Sequence, residues 1–210
     1  MDTDKPRLNP WFSMWTKPRA TIQQIVDEDP ERLIVVLVSL SGVDNALSRA
    51  SAKNLGDIFD WPIIILIAVI VGPIGGMVTL YIGSALVRWT GTWLGGTAPL
   101  QNIQSAMAWS CVPVIWALPL WIPKISLLGH ELFTTETPTI DANPAVALVV
   151  MAYAVVETTI GVWTIVIYLK CLGQVQGFSA WKALGNSVLA GLLVIVPIVL
   201  VLLGIELLRR

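Results

Sequence analysis

Residues 61–94 read WPIIILIAVIVGPIGGMVTLYIGSALVRWTGTWL, with Arg88 as the single charged residue. Roughly 20 apolar residues are enough to cross the hydrocarbon core of a bilayer. As one helix, at about 1.5 Å per residue, this stretch extends about 50 Å. It therefore crosses a membrane tilted or kinked, and Gly72-Pro73 marks the kink. No charge or turn cluster divides it, so it reads as one helix rather than two short ones.

Four further apolar blocks flank it, over residues 32–50, 102–121, 144–172 and 181–208. Charged residues make up 13% of the chain, about half of what a soluble domain carries, and the mean hydropathy is +0.75. The expectation is an all-α, polytopic membrane helix bundle: five transmembrane spans filling residues 31–210, after a cytoplasmic N-terminal segment, residues 1–30. Within that segment Thr16 is placed to cap a helix, with Pro18 in its first turn and Ile22, Ile25 and Val26 at helical spacing. Asp27-Glu28-Asp29-Pro30 stops it. With Trp11, Phe12 and Trp15 just ahead, it reads as a short interfacial amphipathic helix on the membrane surface. Asp2 and Asp4 are unlike the start of a secretory leader, so none is expected.

Lysines and arginines set the orientation. With five spans, Lys5, Arg7, Lys17, Arg19, Arg32, Arg88, Lys170 and Lys182 fall on one side. Arg49, Lys53, Lys124, Arg209 and Arg210 fall on the other. The excess places the N-terminus in the cytoplasm and the C-terminus outside.

Polar residues inside apolar blocks are the site candidates, because a bilayer offers them no partner. Glu157 lies near the middle of the fourth block. Tyr153, Glu157, Gly161, Thr164 and Tyr168 follow one another at helical steps and share its face. Asp44, Asn45 and Arg49 form a second polar group on the first block, and the two groups are expected to meet across the bundle. They would make a structural ion pair, or a site for a cation, a proton or a lipid headgroup. On the second block Gly72, Gly76, Thr79 and Gly83 line one face, where small side chains let helices approach closely. The polar loop 123–143 holds the only histidine, His130, with Glu131 and Glu136; one histidine beside two glutamates reads as a solvated loop. Cys111 and Cys171 lie in or beside apolar blocks and read as buried small hydrophobes. No nucleophile motif, phosphate loop or basic nucleic-acid patch stands out, so neither an enzyme, nor a cofactor, nor a nucleic-acid partner is expected.

Three stretches carry a family resemblance. They are Asn9-Pro10-Trp11 through Trp15-Thr16-Lys17-Pro18-Arg19-Ala20-Thr21; Gly95-Gly96 followed by Ala106-Met107-Ala108-Trp109-Ser110 and Val112-Pro113; and Gln174-Val175-Gln176-Gly177-Phe178-Ser179-Ala180-Trp181-Lys182-Ala183-Leu184. With the five blocks, they make the chain resemble the bacterial branch of the Ypt-interacting-protein (Yip) membrane family. The resemblance implies five spans, a cytoplasmic N-terminus and a non-enzymatic scaffold or adaptor of a bacterial inner membrane. Its partners would be the lipid bilayer, other membrane proteins or a homo-oligomer. Eukaryotic members associate with prenylated Rab GTPases, but their Asp-Leu-Tyr-Gly-Pro motif is absent here. The alternative is a small transporter or channel that handles a cation or lipid headgroup through Glu157 and Asp44.

Overall fold

The computed structural model describes residues 7–209; Asp2, Asp4, Lys5 and Arg210 lie outside it. Every regular element among the described residues is helical. The order is α1 (Pro10–Thr16), α2 (Pro18–Glu28), α3 (Ile34–Ala52), α4 (Trp61–Trp93), α5 (Leu100–Ser110), α6 (Val112–Ala117), α7 (Trp121–Leu128), α8 (Pro138–Ala142), α9 (Pro144–Gln176) and α10 (Ala180–Leu208). Four helical stretches are long and apolar enough to cross a membrane: Trp61–Trp93, Leu100–Phe133, Pro144–Gln176 and Ala180–Leu203. The first apolar block, α3, is not among them, because Asp44, Asn45, Ser48 and Arg49 make its second half polar.

Proline explains where helices start and where they bend. Pro10, Pro18, Pro138 and Pro144 stand in the first turns of α1, α2, α8 and α9, where their missing N–H costs nothing. Asn9 caps α1 by accepting from the Trp11 N–H, and Asn143 caps α9 by accepting from that of Ala145. Thr16 closes α1 instead of capping α2, and Lys17 holds the α2 cap position without a side-chain hydrogen bond. Helix α4 runs unbroken through Pro73. The stretch from residue 100 to 133 is instead a chain of short helices, interrupted at Cys111 and around Pro119. The segment expected as a loop, 123–143, is largely helical, comprising most of α7, a 3₁₀ turn at Gly129–Phe133 and α8.

The tightest helix pair is α3 with α4, and glycine makes it so. A Cβ added at Gly72 would lie 2.7 Å from the Gly42 carbonyl oxygen, and one at Gly76 would lie 2.5 Å from that of Val38. Both would strike backbone, which cannot swing aside. Gly83 differs, since its nearest neighbour is the flexible end of Met107, at 3.1 Å. Thr79 is exposed. The small-residue face is therefore a contact at Gly72 and Gly76 with Gly42 opposite, and it fades beyond them.

The hydrophobic core extends across residue 30. Met14 of α1 and Ile22 and Ile25 of α2 are buried in one cluster with Leu37 of α3, Leu80 of α4, Trp109 of α5 and Ile167 of α9. The apolar side of α2, expected to face lipid, is thus covered by protein. A second polar feature marks this end of the bundle. Gln176 fits against Gly91 and Gly96, where any Cβ would collide with it, and its Oε1 accepts from the Ala98 N–H at 3.4 Å. Nearby, Thr90 donates to the buried Asn186 at 2.5 Å.

Overpacking a closed contact costs on the order of 1–3 kcal/mol. Gly72→Leu and Gly76→Leu are therefore expected to lower the thermal midpoint in detergent by several degrees, whereas Gly83→Ala and Gly75→Ala stay close to the parent, Gly75 having nothing within 4 Å. Equal effects at Gly72 and Gly75 would contradict the α3–α4 contact.

Candidate functional site

At the end of the bundle away from α1 and α2, three helices converge through polar side chains. On α3, the Asp44 carboxylate accepts a hydrogen bond from Trp121 Nε1 of α7, at 2.9 Å. One helical turn along α7, Lys124 Nζ lies 4.3 Å from the centre of the Trp121 ring and 2.7 Å from Glu157 Oε1 of α9. Asp44, Trp121, Lys124 and Glu157 thus form a continuous chain of contacts across α3, α7 and α9. Trp121 is held flat against buried Phe133, with ring centres 6.2 Å apart and planes 4° from parallel. A cavity of about 150 Å³ adjoins the ion pair, lined by Ser51, Lys124, Tyr153, Glu157 and neighbouring leucines.

The loops at this end brace the arrangement. The Ser51 hydroxyl donates to the Leu132 carbonyl at 2.7 Å. Thr135 donates through its hydroxyl and its N–H to Asp57, at 2.6 and 3.0 Å. Those two bonds hold the Asp57 carboxyl below its ordinary pKa. Glu131 accepts from the hydroxyl and N–H of Thr139. Among the described residues no three His, Cys, Asp or Glu side chains gather as a metal site.

The expected polar residues reach different destinations. Glu157 and Asp44 belong to one contact chain. Asn45 and Arg49 do not join it; they are exposed and bond to each other, Arg49 Nε to Asn45 Oδ1 at 2.6 Å. Thr164 spends its hydroxyl on the Ile160 carbonyl one turn back, at 2.8 Å. Tyr168 is held by Ser187 of α10, at 3.2 Å. The helical face shared in sequence is thus divided along α9, because a helix of 33 residues passes different neighbours at its two ends.

Lys124, the partner of Glu157, stands in the segment expected as a loop, so its charge enters the orientation but not the site. Its signal was present: a lone lysine inside the apolar run Ile122–Leu128, three residues after a tryptophan on the same helical face. In chemical terms one ammonium pairs with Glu157 and lies over the Trp121 ring, whose N–H in turn holds Asp44. The Lys124 side chain is 12% exposed and that of Glu157 37%, so the pair is shielded without being sealed. Such an arrangement clamps helices together.

These features define a multi-pass helical membrane protein whose bundle is pinned by internal polar contacts. The family model of the Yip1 domain matches residues 12–203, and the chain belongs to that family. No curated protein and no solved structure matches it. The three stretches that carried the resemblance meet at the end bearing α1 and α2. There Trp11 packs edge-on against Trp109, with ring centres 5.9 Å apart, and Gln176 lies against Gly96.

Removing one partner of a buried ion pair costs roughly 3–5 kcal/mol; the partial exposure of Glu157 reduces this to about 1–3 kcal/mol. Lys124→Met is expected to destabilise by that amount, read as thermal unfolding in detergent. Glu157→Gln is milder, since Asp44 and the Trp121 ring still accompany Lys124. The double variant Lys124→Met/Glu157→Gln recovers part of the loss. A double variant as unstable as the sum of the two singles would show that the pair is not coupled.

Proposed function

We propose that this Yip-family protein is a non-enzymatic scaffold or adaptor of a bacterial inner membrane. It has five spans, a cytoplasmic N-terminus and an external C-terminus. In this reading α3 is the first span. It lies against α4 along Gly42, Gly72 and Gly76, and its polar residues find partners within the protein, Asp44 with Trp121 and Asn45 with Arg49. A polar helix half is compatible with a bilayer where its groups meet protein, as Asp44 does, or stand near the helix end, where the exposed Arg49 of the last turn reaches toward the interface. The orientation is supported by Lys17, Arg19, Arg32, Arg88, Lys170 and Lys182 at the end bearing α1 and α2.

The observation that carries the scaffold reading is the docked N-terminal unit. Helix α2 gives Thr21, Ile22 and Ile25 to the bundle and leaves Arg19, Asp27, Glu28 and Asp29 exposed. The result is a polar platform built rigidly onto a membrane bundle, suited to partners at the membrane surface. Association with partner proteins is what the family resemblance implies. A carrier for a cation or lipid headgroup gains no support, since Lys124 already neutralises Glu157.

Placing a photo-crosslinking residue at Arg19, with Leu148 on the exposed apolar side of α9 as control, tests the reading in cells. Discrete protein adducts from position 19 and lipid adducts from 148 are expected; lipid adducts alone from both positions would oppose a scaffold. In the same cells, cysteines at positions 19 and 209 should react with an impermeant maleimide from opposite sides. Reaction from one side would overturn the odd number of spans.

A further inference from the structure

Beside α1 lies an apolar groove of about 360 Å³, lined by Phe12, Trp15, Trp116, Ala117, Leu120 and Ile160. Its size falls in the range of small-ligand sites, roughly 300–1,000 Å³. Phe12 and Trp116 flank it with ring centres 5.6 Å apart, yet they remain 63% and 49% exposed. Among the described residues no side chain fills the groove. One wall is the N-terminal unit, and the others are α6, the turn after it, and α9.

The rim near Trp15 is cationic. Trp163 Nε1 donates to the Trp15 carbonyl at 3.2 Å, and Lys170 Nζ reaches back to within 5.8 Å of the Trp163 ring centre. Lys17 stands exposed two residues beyond Trp15. Cys171 Sγ lies 3.8 Å from the Pro18 carbonyl oxygen, so the backbones that carry Lys170 and Lys17 run side by side. Among the described residues neither lysine has a carboxylate partner. The acids of α2 are engaged elsewhere, Asp27 with Gln23 and Glu28 with Arg7. An apolar trough with aromatic walls, with two lysines lacking carboxylate partners beyond its Trp15 end, matches one class of molecule in a membrane.

We propose that this groove binds an anionic phospholipid, with an acyl chain along Trp15, Trp116 and Leu120 and the phosphate between Lys17 and Lys170. A zwitterionic lipid would fill the trough equally but would leave the rim charge uncompensated. The site is independent of the scaffold reading, because it concerns lipid and not a protein partner.

The test is native mass spectrometry of the full chain in detergent, supplied in parallel with phosphatidylglycerol and phosphatidylcholine of identical acyl chains. Preferential retention of phosphatidylglycerol is expected, with a loss of roughly fivefold for each lysine removed in Lys17→Ala and Lys170→Ala. Ala117→Trp, which fills the trough, should reduce retention of both lipids. The two surface lysines decide the matter if the tryptophan variant fails to fold. Equal retention of the two lipids by the parent protein would overturn the proposal. So would a preference that survives loss of both lysines, or a second copy of the chain in place of lipid.

Discussion

Trp109 occupies the point where the bundle meets its N-terminal helices, and much of the structure depends on how it is held. The side chain is fully buried, and its Nε1 donates to the Arg32 carbonyl at 3.2 Å. That carbonyl precedes Leu33, whose φ of 55° turns the chain through a left-handed corner from α2 into α3. The Arg32 carbonyl belongs to the turn between the two helices and has no helical partner, so a donor from the bundle fixes the corner. The indole supplies the donor, and its ring offers Trp11 an edge-on partner. One residue thus satisfies the corner, seats α1 and fills the space between α3 and α9.

The two ends of the bundle solve a shared problem by different chemistry. In hydrocarbon, any polar group without an internal partner is expensive. The end bearing α1 and α2 uses neutral groups: Asn186 bonds Thr90 and the Val87 carbonyl, while Gln176 accepts from Ala98 and leaves its buried Nε2 without a partner among the described residues. The opposite end uses charge, one lysine held between the Glu157 carboxylate and an indole that donates to Asp44. Neutral amides suit a region packed closely around Val87, Leu172 and Ala183. A partly shielded ion pair suits a region where α9 leaves much of its surface exposed. Between the two ends, the bare backbones at Gly42 and Gly72 keep α3 close enough to α4 for Asp44 to lie beneath Trp121.

The long apolar blocks were legible because each needs only its own sequence: period, length and the placing of charge. α4, α9 and α10 follow the expected blocks closely. The small face at Gly72 and Gly76 was legible for the same reason, while its counterpart Gly42 is the one glycine of α3. What depends on a second segment was much harder to read. The apolar side of α2 is the pattern of an interfacial helix whether lipid or protein covers it, and only packing with Trp109 and Ile167 distinguishes the two. Glu157 stood out as an intramembrane carboxylate, but its partner lay behind Pro119 and Pro123, which disguised a helix as a loop. Trp121 and Asp44 were both visible as residues and invisible as a pair.

The central claim is that the N-terminal helices are part of the packed bundle and do not float on the membrane beside it. Met14 and Cys171 place their sulfur atoms 3.7 Å apart in the core, which offers a direct measurement. In a Cys111→Ser background, Met14→Cys would put two thiols in the buried position between α1 and α9. In native membranes the position-14 thiol should resist a water-soluble maleimide in most molecules and react only after denaturation in SDS, since Met14 and Cys171 are both fully buried. Free labelling of the position-14 thiol by that maleimide before denaturation would contradict the account.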